Sequence, residues 1–176
     1  MSEPPRVYVL DANVFVQAHR RHYGFDVCPG FWKFLVSKHV EGLVISIDRI
    51  RDEIAAGDKD ALETWAKDTA PKSLFATTAD PNVAANFAAI MQWVESQMQF
   101  RREAKDEFAR VADGWLVSYA MAHPGHVVVT HEEFAADAQK RVPLPNICKK
   151  FSVPYVDPFI MLKEMQASFE WVKPPG

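Results

Sequence analysis

Val7-Tyr8-Val9-Leu10 is apolar at every position, without the alternation of a half-buried strand. Such a run predicts a strand covered on both faces, as the central strands of a parallel sheet are. Leu43 to Ile47, Val127 to Thr130 and Val153 to Val156 are mostly apolar and read as further short strands. Between these runs the apolar positions follow helical spacing. Pro29 opens a helix whose stripe is Phe31, Trp32, Phe34 and Leu35, running to about His39 and ended by Gly42. Asp48 is placed to cap a helix reaching about Ala56, which Gly57-Asp58 breaks. Asp60 to Asp68 reads as a helix, Ser73 to Thr78 as a connector or edge strand, and Pro81 to Gln97 as a long helix capped by Asp80. Asp106 to His123 reads as one continuous helix and Pro145 to Phe151 as a short one, and Asp157-Pro158 begins the last.

Strands and helices alternating in this rhythm predict βαβ units, and therefore an α/β fold: a three-layer α/β/α sandwich around a mainly parallel central sheet. The 176 residues suit one domain with a single core, carrying a helical insertion at about 58–100. A formal net charge of -3 argues against a surface that grips nucleic acid all round, yet permits a local hold on one strand. Cys28 and Cys148 lie in no CxxC spacing and are expected to be reduced thiols. The segment Met1 to Arg6 lacks the apolar core of a signal peptide, and no apolar run is long enough to span a bilayer. The expectation is a cytoplasmic protein with no membrane contact.

Four acids stand at or just after expected strand ends: Asp11, Glu53, Asp113 and Glu132. In an open α/β sheet, the loops at the carboxyl ends of strands converge on one crevice, so acids far apart in sequence can meet there. Ile47, Ile50 and Ile54 define the buried stripe of their helix; Glu53 borders it, while Asp48 and Asp52 project away. On the continuous helix expected over 106–123, Asp113 has Ala109, Leu116, Val117 and Ala120 as neighbours, so a lone carboxylate sits in the stripe that faces the sheet. Burying an unpaired charge is costly unless a cation or donors compensate. Asp106, two turns upstream, is an additional candidate. Asn13 and Thr130 are placed to support Asp11 and Glu132.

Two carboxylates about 4 Å apart repel by roughly 4 kcal/mol at an effective dielectric of 20, so such a cluster calls for a cation. Hard oxygen ligands without a thiolate or imidazole cluster select Mg²⁺ or Mn²⁺, with Asp11, Glu53 and Asp113 as ligands and Glu132 as the fourth catalytic acid. An ion so held suits metal-dependent hydrolysis of a phosphodiester. The basic residues His19-Arg20-Arg21-His22, Lys140-Arg141 and Lys149-Lys150 follow the same strand ends and can hold phosphates, with Tyr23 or Phe25 for base stacking. Two rivals remain open. One is an aspartyl-phosphate phosphatase or phosphotransfer domain, which wants a second Asp where the chain has Asn13 and a Lys that is missing after Val129-Thr130. The other is a non-catalytic RNA-binding module.

The segments Val9-Leu10-Asp11-Ala12-Asn13-Val14-Phe15, the inward Glu53, Ala112-Asp113-Gly114-Trp115-Leu116-Val117 and Thr130-His131-Glu132 resemble the four successive motifs of PIN-domain nucleases. The resemblance runs from about Val7 to Val156, with Glu132 where many members have Asp. Pro145-Asn146-Ile147-Cys148-Lys149 followed by Val153-Pro154-Tyr155 is similar to a larger PIN-like bacterial subgroup carried in toxin and antitoxin operons. The resemblance implies a Mg²⁺ or Mn²⁺ dependent ribonuclease acting on RNA, with VapC-type toxins as the nearest analogy. It also implies an antitoxin protein that blocks the acidic pocket, and a homodimer. The matter from about Asp58 to Phe100, absent from compact toxins of that type, is then a clip over the site, a dimer surface or an antitoxin-docking face.

Overall fold

The computed structural model describes residues 5–176; residues 1–4, part of the segment read as lacking a signal peptide, lie outside the described residues. The elements in chain order are β1 (Val7–Leu10), α1 (Ala12–Gln17), α2 (Pro29–Val40), β2 (Val44–Ile47), α3 (Asp48–Ala56), α4 (Ala61–Thr64) and β3 (Phe75–Ala76). They continue with α5 (Pro81–Ser96), α6 (Arg102–Arg110), α7 (Asp113–Ala122), β4 (His126–Val129), α8 (Leu144–Lys150), β5 (Tyr155–Val156) and α9 (Pro158–Glu164). The five strands form one all-parallel sheet in the order β3-β2-β1-β4-β5, flanked by helices as a three-layer α/β/α sandwich. Val9, Leu10, Val128 and Val129 are fully buried, as continuous apolar strands under two helical layers must be.

Local chemistry sets the helix starts. Pro29, Pro81 and Pro158 stand in the first turn, where a missing N–H costs nothing. Asp60, Asp80 and Asp157 cap their helices with side-chain bonds to backbone amides, Asp80 to Asn82 N at 2.7 Å. Gly42, at φ +77°, supplies the left-handed residue that releases the chain from α2 into β2.

In two places the structure departs from the sequence-based expectation. The segment 106–123 is two helices, broken where Val111 is extended between α6 and α7. Asp48 does not stand at the cap of α3: the N-cap position is Ile47, and the Asp48 carboxylate, besides accepting the adjacent Arg49 N–H at 2.8 Å, turns to the amide and hydroxyl of Thr78, at 3.0 and 2.8 Å. The polar segment at Ala18–His22 is a wide π-helical turn continuing α1.

Residues 58–100 are built into the sandwich. They supply the edge strand β3, and α5 packs along α7. Helix α7 is therefore enclosed between α5 and strands β2 and β4, which explains why Leu116, Val117, Ser118, Tyr119 and Ala120 are all buried and no polar stripe exists. Both cysteines are free thiols, and among the described residues no helix is long and apolar enough to cross a membrane.

Candidate metal centre

The chain moves from β1 to β2 and β3 on one side and then returns to place β4 on the other side of β1, so the strand order reverses between β1 and β4. Ligand crevices of open α/β sheets lie outside the strand ends at such a reversal. Here β1 delivers Asp11 and β4 delivers Thr130, Glu132 following two residues later. A cleft of about 380 Å³ opens at this point, and Asp11, Asn13, Glu53, Asp113 and Glu132 all line it. The four sequence-selected acids thus meet in one place.

Asp11 is 2% exposed. It occupies the N-cap position of α1, yet its carboxylate makes no capping bond; Thr130 Oγ1 donates to its Oδ2 at 3.1 Å. Burial pushes the Asp11 carboxyl up to about 7, aided by the charges of Glu132 and Glu53 and opposed by the Thr130 hydroxyl and the neighbouring Ala12 N–H. Asp113 is the first residue of α7, and no donor among the described residues bonds to its carboxylate. Burial raises its pKa well above the ordinary carboxylate range, and the charges of Asp11, Glu132 and Glu53 add to the effect, with Arg141 opposing. Gly114 beside it has a packing role: a Cβ there would stand 2.9 Å from the Phe87 ring of α5 and 3.2 Å from Phe108 of α6.

Glu53 reaches across from α3 and accepts the Ala112 N–H at 2.7 Å, which secures the chain at the break before α7. Burial raises its pKa, and that hydrogen bond restrains the rise. Glu132 is held by protein donors on both oxygens: the Leu144 N–H at 2.8 Å on Oε2 and the Arg141 guanidinium on Oε1.

The donor set is carboxylate alone, suited to a hard divalent cation. The cost of crowding negative charge around buried Asp11 and unbonded Asp113 is what such a cation relieves. Asp11 and Asp113 would hold it, with Glu53 beside them. Among the described residues no group of three or more His, Cys, Asp or Glu is arranged to hold a metal ion, and Glu53 and Glu132 are turned to other donors.

Other sequence-selected residues divide. Arg141 lines the cleft, and Arg20, paired with Asp58, lines an adjoining hollow of about 240 Å³ that shares Asn13 and Glu53 with it. Arg21, Lys149 and Lys150 are exposed and line neither; Lys149 lies over the Phe134 ring at the far end of α8. The rim expected there is therefore carried by Arg141 and Arg20. Tyr23 and Phe25 are stacked on Phe31 and Trp32, with centroids 4.5 and 4.1 Å apart, so core packing occupies the rings expected to receive bases. Asp106 is exposed and paired with Arg102, outside the cleft. Its neighbour Glu107 faces the cleft instead, on the same side of α6 as Ala104, Phe108 and Val111. That 104, 107/108, 111 spacing was legible in sequence, but reading α6 and α7 as one helix gave it the wrong register.

The chain belongs to the family described as Domain of unknown function (DUF4411), whose model matches residues 8–169. No curated protein matches the chain.

Proposed function

We propose that this chain is a metal-dependent endoribonuclease of the PIN type, hydrolysing RNA phosphodiester bonds with Mg²⁺ or Mn²⁺. One observation carries the reading: Asp11 and Asp113, distant in sequence, line one cleft at the β1/β4 reversal, Asp11 buried and Asp113 half-buried with no donor on its carboxylate among the described residues. Asp11 and Asp113 would hold the ion, with Glu53 beside them offering the oxygen that does not accept the Ala112 N–H. When bound, the ion neutralises the phosphate and activates the attacking water. Asp11, kept in place by Thr130, carries the negative charge that the cation requires at the floor of the cleft. Glu132 closes one wall, and Asn13 lies at the mouth, exposed, where α1 begins. The resemblance to VapC-type toxins extends the proposal to the toxin of a toxin–antitoxin pair, with an antitoxin protein covering the acidic cleft and a homodimer as the assembly.

The test is cleavage of a labelled single-stranded RNA by the purified chain with Mn²⁺, with chelator, and with Asp113→Asn. Cleavage should vanish in chelator and fall by about 100-fold or more in the variant, roughly 3 kcal/mol of lost transition-state stabilisation, with circular dichroism unchanged. Equal cleavage by Asp113→Asn would assign the activity elsewhere.

A further inference from the structure

Glu132 differs from the other acids of the cleft in that both of its oxygens already accept hydrogen bonds from protein donors. Its side chain is 10% exposed, one oxygen takes the Leu144 N–H and the other takes Arg141, while its own amide donates to Thr130 Oγ1 at 3.1 Å. Turning either oxygen towards an ion would disturb a bond made in a nearly dry place, the charge-assisted pair with Arg141 or the Leu144 amide. Arg141 has the opposite character. Its side chain is 61% exposed, it lines the cleft, and of the donors on its guanidinium only one nitrogen is engaged by Glu132. The remaining N–H groups form a planar fork of the kind that matches phosphate oxygens.

We propose that Arg141 is the residue that binds the substrate's phosphate backbone, and that Glu132 is its positioning residue, outside the metal shell. This deepens the nuclease reading and rests on it: the cation at Asp11 and Asp113 and the fork of Arg141 address one phosphodiester from two sides of the cleft. The substrate class is a single-stranded polyanion held through its backbone. The loop from His131 to Pro143 brings Arg141 there because it is fastened at several points. Asn146 bonds both the N–H and the C=O of Ala135, at 3.0 and 2.7 Å, and the Arg101 amide donates to Gln139 O at 2.9 Å. Glu132 then aims the guanidinium. The rival geometry makes Glu132 the fourth ligand, with Arg141 a placeholder that leaves when the ion arrives.

Two titrations on the full chain separate these. Mn²⁺ alone is titrated calorimetrically into wild type, Asp113→Asn, Glu132→Gln and Arg141→Gln. A fluorescent single-stranded RNA is titrated by anisotropy in chelator at several salt concentrations. Asp113→Asn should weaken Mn²⁺ binding by about 10-fold or more, and Glu132→Gln and Arg141→Gln by less than about 3-fold. Arg141→Gln should weaken RNA binding by about 5- to 10-fold and lower the salt slope by about 0.7, with Arg141→Lys recovering part of both. In cleavage, Glu132→Gln should raise KM more than it lowers kcat. A loss of Mn²⁺ affinity in Glu132→Gln equal to that in Asp113→Asn would make Glu132 a ligand and overturn the proposal. So would RNA affinity and salt slope unchanged in Arg141→Gln. Failure of the nuclease reading shows separately, as Mn²⁺ binding that Asp113→Asn leaves intact, while the chelator titration still decides the role of Arg141.

Discussion

The hydroxyl of Thr130 donates to Asp11 Oδ2 at 3.1 Å and accepts the Glu132 N–H at the same distance, so one side chain at the end of β4 ties the acid of β1 to the loop of Glu132. The donated bond holds the Asp11 carboxyl below where burial alone would put it. Thr130→Val removes it while keeping the shape, and the cost should be about 1–2 kcal/mol of stability. Mn²⁺ competes with the Asp11 proton, so the pH for half-maximal Mn²⁺ affinity should rise in Thr130→Val and stay near wild type in Thr130→Ser. Calorimetry across pH 5.5 to 8.5 checks this; identical profiles for Val and wild type would refute it.

Asp11 and Asp113 both have pKa values raised by folding, so over the range between their unfolded and folded values the folded chain binds more protons than the unfolded chain. Stability then falls as pH rises, for Asp11 from about 4 to about 7, and is fully retained only below that window. In chelator, thermal unfolding should therefore move to lower temperature between pH 5 and 8. Asp113→Asn should flatten the trend and raise the midpoint at pH 8 by about 4 °C, the shift that roughly 1 to 2 kcal/mol gives in a chain of this size. Added Mn²⁺ should stabilise the wild type most at high pH. A midpoint that climbs with pH in chelator would contradict the proposed electrostatics.

Glu53 has a structural and a chemical task that substitution can separate. Its Oε1 is the acceptor for the buried Ala112 N–H. Glu53→Gln keeps an acceptor and loses the charge, so the midpoint should change little while Mn²⁺-dependent cleavage drops. Glu53→Ala also leaves that N–H without its partner and should cost about 1–3 kcal/mol. Equal stability of the two variants in urea unfolding would show that the bond does not secure the break.

Strands were legible because burial on both faces leaves a continuous apolar run, as in Val7 to Leu10 and Val127 to Val129, although β4 begins one residue before the expected Val127 to Thr130 and ends before Thr130. Helix starts at Pro29, Pro81 and Pro158 were legible because proline acts locally. The break at Val111-Ala112 was not, since no glycine or proline marks it; the compensating bond comes from Glu53, far away in sequence. The same distance hid the turn of Asp48 towards Thr78 and the commitment of Glu132 to Leu144 and Arg141. In the site, Asp11 and Glu132 were readable from their positions just past strand ends and Glu53 from its place beside the apolar stripe of α3, whereas Asp113 stands between α6 and α7 and follows no strand, and the partners that divide the acids into free and engaged groups arise only from tertiary packing.

The enclosure of α7 between the sheet and α5 gives the site two halves with different mechanical character. Asp113 begins a helix packed along α5 and the sheet, while Arg141 rides on a stretch fastened by side-chain bonds. Detaching that stretch is a far smaller excursion than global unfolding. If the chain cleaves RNA as proposed, changes between His131 and Pro143 should alter substrate preference while leaving the acids at the floor in place.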